Sequence, residues 1–145
     1  TYTLGDAKIT IVGPVGTPED LNNASVVMKV VYGKNSFLFT GDAEEKSEKK
    51  ILANGADIKA DVLKLGHHGS STSTSEEFLK VVSPSLALIS CGKDNDYGHP
   101  HKETIEKLEK YNIPYERTDI KGTIVVGSDG EHLSTAFPDN KTAEK

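Results

Sequence analysis

The chain has 145 residues, 35% of them hydrophobic and 27% charged, which is enough for one ordinary domain with a buried core. No apolar run approaches the roughly 18 residues of a membrane span. The net charge of −5, with acidic and basic residues mixed along the sequence, argues against a generic basic clamp on nucleic acid, which needs clustered Lys and Arg. It does not exclude an enzyme that holds phosphate through metal ions. The single cysteine, Cys91, rules out an internal disulfide and leaves the compartment open. Following an apolar run, it reads as a buried, inert thiol.

The chain does not open on Met and shows no signal-peptide pattern. It starts almost at once in strand-like sequence, as though cut from something longer. Residues 1–12 (TYTLGDAKITIV) alternate loosely and read as two strands around Gly5-Asp6. A Gly/Pro/Asn-rich loop follows, GPVGTPEDLNN. Residues 26–32 and 37–40 are β runs, joined by a loop over 33–36 into a hairpin. Asp42 with Glu45 matches a capping box opening a helix that runs to Asn54-Gly55. Residues 61–65 form a short strand. Thr74 with Glu77, or Ser73 with Glu76, caps a second helix that buries Phe78, Leu79, Val81 and Val82 and stops at Pro84. Residues 86–90 read as a strand buried on both faces. Pro100 suits the first turn of a third helix carrying Ile105 and Leu108 and ending near Asn112. Residues 113–118, 122–127 and 131–137 close the fold as strands, and 139–145 read as a frayed polar tail. The order predicts a single α/β domain over 1–138, a mixed sheet with helices on at least one face.

Three polar loops each follow a strand: Thr40-Gly41-Asp42, Gly66-His67-His68-Gly69-Ser70 and Tyr97-Gly98-His99-Pro100-His101. If those strands run the same way in one sheet, the loops share one edge, where ligands of open α/β sheets bind. They then bring together one carboxylate and up to four imidazoles, a ligand set suited to Zn²⁺ or Mn²⁺. Asp42 reads equally as a helix cap. Adjacent imidazoles between glycines have no local structural need, since consecutive strand side chains point to opposite faces. His101 reads as a first-turn helix residue and His132 as exposed. The hydroxyls of 70–75 are mostly turn and capping chemistry, with Ser70 able to donate to a phosphate oxygen.

The series NNASVVMKVVYGKNSFLFTGDAE, DVLKLGHHGSSTSTSEEFL, SPSLALISCGKDNDYGHPHKETIEKL and RTDIKGTIVV resembles the metallo-β-lactamase-like domain of ComEC-type competence proteins. The resemblance implies an αββα sandwich with two divalent ions, Zn or Mn, at one edge of its sheets. It matches Asp42 to the aspartate that bridges the metals and one histidine of GHHG to the final ligand. His68 is taken as that ligand. His67 is given to catalysis at the substrate phosphate, and His99 to catalysis and substrate contact beside Ser70. No HxHxDH or HxDxDH run occurs in the sequence, so the chain matches the family's C-terminal half without its principal ligands. It is expected to be inactive or weakly metal-binding alone, and to need its N-terminal half or self-association to cover a bare face. The implied function is a phosphodiesterase or nuclease acting on DNA during uptake, within a membrane-associated bacterial protein whose domain is extracytoplasmic. The alternatives are a small-ester metallohydrolase of the same fold and a degenerate binding module.

Overall fold

The computed structural model describes residues 1–140. Its seven-stranded sheet has the order β1 (Tyr2–Leu4), β2 (Ala7–Gly13), β3 (Val27–Tyr32), β4 (Asn35–Phe39), β5 (Val62–Lys64), β6 (Leu86–Ile89), β7 (Tyr115–Arg117). The pairs from β1 to β4 are antiparallel, and those from β4 to β7 are parallel. The sheet is therefore mixed, as the sequence predicts. The connections explain why: tight turns can join only antiparallel neighbours, whereas each parallel pair needs a crossover. α1 (Glu45–Ala53), α2 (Glu76–Val82) and α3 (Lys102–Lys110) supply those crossovers.

All three crossover helices pack on one face. Leu38, Leu63, Ala87 and Ile89 point into it and meet Ile51, Phe78, Leu79, Val82 and Leu108 in one buried cluster. The opposite face has much less cover. Phe37, Val62 and Leu86 align on it across the parallel strands, as do Phe39, Lys64 and Leu88. A separate hairpin of β8 (Val125–Ser128) and β9 (Leu133–Ala136) lies over part of it, with Ile124 and Val126 bordering an open pocket of about 220 Å³ against Phe37, Phe39, Val62 and Leu88. Along β1 and β2, Tyr2, Leu4 and Ile11 stay exposed.

This asymmetry corrects one expectation: in β6, Ala87 and Ile89 are fully buried but Leu86 and Leu88 only partly. Other corrections are local. The β3–β4 loop is the two residues Gly33-Lys34, because Tyr32 pairs with Asn35. The cap of α2 is Ser75, whose Oγ accepts from the Phe78 N–H, while the Thr74 and Ser75 N–H groups donate to buried Glu48. Val81 faces water. After β7 the chain makes a single turn, α4 (Thr118–Lys121), before the hairpin. Pro138–Asn140 form a short turn in which the Asp139 carboxylate accepts from the Thr123 N–H. The remainder of the tail, 141–145, lies outside the described residues.

Candidate functional site

The parallel run from β4 to β7 places the loops after β4, β5 and β6 at one edge, and backbone bonds tie them together. The His67 N–H donates to the Gly41 carbonyl at 2.9 Å and the His101 N–H to that of Gly69 at 3.0 Å. The Thr40 hydroxyl donates to the Lys64 carbonyl at 2.8 Å. The two glycines around the histidines are required by this packing. A Cβ on Gly69, at φ +83°, would stand 2.7 Å from the Pro100 side chain, and one on Gly66 would stand 2.8 Å from the Ala43 carbonyl oxygen.

Between them, His67 (φ +46°) and His68 (φ +57°) are both left-handed, a conformation that costs an L-residue about 1–2 kcal/mol. Two such residues in succession persist because the backbone bonds of the neighbouring loops fix them there. The turn they make sends both rings into the same edge. His67, His68, His99 and His101 form a connected cluster with neighbouring ring centroids 4.7–6.2 Å apart.

The nitrogens differ in what they do. His68 Nδ1 lies 2.7 Å from the Ser90 carbonyl oxygen. A carbonyl only accepts, so Nδ1 carries a proton. Nε2 then presents its other position to Asp42, whose Oδ1 is 3.4 Å away. The Asp42 carboxylate accepts no hydrogen bond among the described residues; its backbone N–H donates to Ser25 Oγ at 3.0 Å. Asp42 is not the helix cap either, since the N-cap of α1 is Glu44 and has no side-chain capping bond. A bare carboxylate facing an imidazole nitrogen that is already oriented from behind is a pair of donors waiting for a cation or proton.

His67 is oriented the same way from a different source: its Nδ1 is 3.1 Å from Glu44 Oε1, which also accepts from the Thr72 hydroxyl at 2.9 Å. Glu44 is a site residue that the sequence reading missed. Nothing in its spacing relates it to His67, 23 positions on; only the meeting of the β4 and β5 loops does. His101 is the N-cap residue of α3 rather than a first-turn residue. Its Nδ1 accepts from the Ser71 N–H at 2.9 Å and its Nε2 is 3.2 Å from the Tyr97 carbonyl, so both ring nitrogens are engaged and the residue serves as a brace.

His99 makes no ring hydrogen bond among the described residues. Burial first, then the neighbouring His101, His67 and His68, hold its pKa below the ordinary histidine range. Ser70 stays apart from the cluster: it is buried, with its hydroxyl 3.0 Å from the Thr72 hydroxyl and accepting from the Thr72 N–H. Cys91 is half-buried, and burial followed by a hydrogen bond to Asp119 pushes its thiol pKa up, which keeps it neutral.

Residues 3–93 match the metallo-beta-lactamase superfamily. The chain belongs to that superfamily. It is 45% identical over 122 residues to ComE operon protein 3 of Bacillus subtilis, covering 83% of this chain and 16% of that protein. It is 47% identical over 105 residues to Recombination protein 2 of Haemophilus influenzae, covering 72% and 13%. Against Competence protein ComA of Neisseria gonorrhoeae the identity is 39% over 109 residues, covering 74% and 16%. The chain thus spans about a sixth or less of the length of these relatives. No helix among its described residues is long and apolar enough to cross a membrane.

Metallo-beta-lactamase superfamily members generally bind divalent metals, and Asp42 and His68 fit that requirement in part. Two metal–ligand bonds of about 2.0–2.1 Å meeting at a tetrahedral angle span about 3.4 Å, the separation of the two donor atoms. Their number does not suffice: among the described residues no third His, Cys, Asp or Glu joins them to form a metal-holding group. Of the neighbouring rings, His101 has both nitrogens engaged within the protein and His67 has its Nδ1 tied to Glu44.

Proposed function

We propose that this chain is the part of a metal-dependent phosphodiesterase that contributes Asp42 and His68 to a two-metal centre, and that the intact protein acts on DNA during uptake. The observation that carries the reading is the unshared Asp42 carboxylate facing the free side of a His68 ring locked from behind by Ser90. The remaining ligands come from a segment or partner surface that seats on the open sheet face. Divalent ions, Zn or Mn, bound there would supply a water of lowered pKa and polarise the phosphoryl oxygens.

The chain's own residues do the rest. Asp42 and His68 would hold metal. His67, whose Nδ1–H donates to Glu44, offers Nε2 to take up a proton from the attacking water or return one to the leaving oxygen. His99, neutral and unbonded, faces the same edge and contacts the phosphate. Ser70 serves the loop from inside rather than the substrate. Relatives named as competence and recombination proteins support DNA over other esters; in this reading the parent is membrane-associated and the domain lies outside the cytoplasm. The net charge of −5 favours a second reading, a small phosphodiester or other ester.

The test uses the longer protein that contains this segment, with Mn²⁺ or Zn²⁺ added, against linear DNA and a chromogenic phosphodiester. Cleavage of both that disappears in Asp42→Asn supports the nuclease. Cleavage of the small ester alone selects the second reading. A folded protein that neither binds metal nor cleaves either substrate leaves a binding module.

A further inference from the structure

Tyr97 sits in the loop after β6 and is 77% exposed, although the loop around it is firmly stapled. Asn95 Nδ2 donates to the carbonyls of Gly92 (2.9 Å) and His99 (2.7 Å), while its Oδ1 accepts from the His99 N–H at 2.9 Å. His101 Nε2 is 3.2 Å from the Tyr97 carbonyl. The Tyr97 ring stacks on His99 with centroids 5.6 Å apart and planes 17° from parallel. His99 stacks in turn on His68 at 6.2 Å and 20°. The result is a column of three near-parallel rings that begins at a candidate metal ligand and ends in water.

One face of Tyr97 is used by His99; the other is free. Beside the column lies a cleft of about 190 Å³ bordered by His68, Cys91, Gly92, Asn95, Tyr97 and His99. The charges of the same loop are Lys93, Asp94 and Asp96. They sum to a negative value and give no electrostatic grip on a phosphate backbone. A ring held in place with a free face offers instead a grip that needs no positive charge, because every nucleobase has a π-face and stacking on an aromatic is sequence-tolerant. Tyr also loses little entropy on contact, having two χ angles.

Resting on the phosphodiesterase reading above, we propose that Tyr97 is a stacking platform for an unpaired base of the substrate strand, flanking the phosphate held at Asp42 and His68. The substrate is then single-stranded where it enters this edge, since a paired base has no face to offer. The rigid Asn95 staple presents the platform already formed.

The test reads binding by this chain without metal, so no hydrolysis enters it. Labelled oligothymidylate, the same strand with abasic residues and a duplex of equal length are titrated by fluorescence anisotropy with wild type, Tyr97→Ala and Tyr97→Trp, each first checked as folded by NMR. The base-bearing strand should bind between about five- and 150-fold tighter than the abasic strand, the range expected of one stacked base. That ratio should fall to near one in Tyr97→Ala and persist in Tyr97→Trp, with the duplex weaker than the single strand. An unchanged ratio in Tyr97→Ala, a wild-type ratio near one, a duplex bound as well as the single strand, or no binding of the single strand would each overturn the proposal. Failure of metal-dependent hydrolysis in the longer protein would leave this ratio untouched, so the two readings fail separately.

Discussion

Two histidine–aspartate pairs in this chain have nearly the same separation and opposite characters. His132 Nδ1 stands 3.3 Å from Asp129 Oδ2, three residues back, and both side chains are largely exposed. Asp129 already accepts from the Glu131 and His132 N–H groups; the pair closes the turn between β8 and β9. His68 and Asp42 stand 3.4 Å apart, but they come from different parallel strands. Their carboxylate is unshared, and their ring is fixed through its far nitrogen in a left-handed backbone. Proximity of an imidazole and a carboxylate is therefore not what distinguishes the two pairs. The distinction lies in which atoms remain uncommitted and what holds them so.

The largest expected contrast is in activity. In the longer protein, His68→Ala should lower metal-dependent hydrolysis by more than about 100-fold, beyond the cost of losing a partner that merely orients a ligand. His132→Ala should stay within about twofold, and equal losses would dissolve the contrast. Next in size, Glu44→Gln keeps the shape but weakens the orientation of His67, and should cost about 10- to 100-fold in kcat/KM. An effect on KM alone would place Glu44 in substrate binding instead.

Stability should move the other way. His68→Gly relieves the left-handed strain and should raise unfolding free energy in urea by up to about 1 kcal/mol. His132→Gly has no positive φ to relieve and should raise nothing. A His68→Gly variant less stable than wild type would mean that the loop is not strained.

The smallest effects are in titration. Backbone hydrogen bonds from His132 and Glu131, then the His132 ring, depress the Asp129 carboxyl to about 2. Because the folded pKa lies below the unfolded value, its contribution to stability is present above about 4 and is lost as pH falls through about 2. Asp129→Asn should flatten the urea midpoint over that window. His99, depressed by burial and by its neighbouring imidazoles, should titrate by NMR with a midpoint below the ordinary histidine value. Stability then rises with pH through the interval between that midpoint and about 6.5.

Much of this was legible from local pattern. The apolar runs gave the strands and the crossover order, hence the shared edge, and the motif GHHG between two strand-following loops gave the histidine pair. What the sequence hid depends on contacts between distant segments. Asp42 and Glu45 fit a capping box by spacing alone, yet the N-cap of α1 falls two residues later, at Glu44, which frees Asp42 and puts Glu44 beside His67. The cap of α2 fell to Ser75 because Glu48, from another helix, took the N–H groups of Thr74 and Ser75. Ser70 could be read as facing substrate until the loop closed over it. Tyr97 carried no signal until His99 was seen stacked beneath it.

Titration of the isotope-labelled chain with Mn²⁺, read by NMR, tests the central claim most directly, because paramagnetic broadening reports where even a weakly and partially bound ion sits, without requiring turnover or the remaining ligands. Broadening should appear first at the Asp42 carboxylate and the His68 ring, spread to His67 and His99, and be abolished in Asp42→Asn, while His132 and Asp129 stay sharp. Broadening that is equal at the two pairs, or absent from Asp42 and His68, would contradict the account.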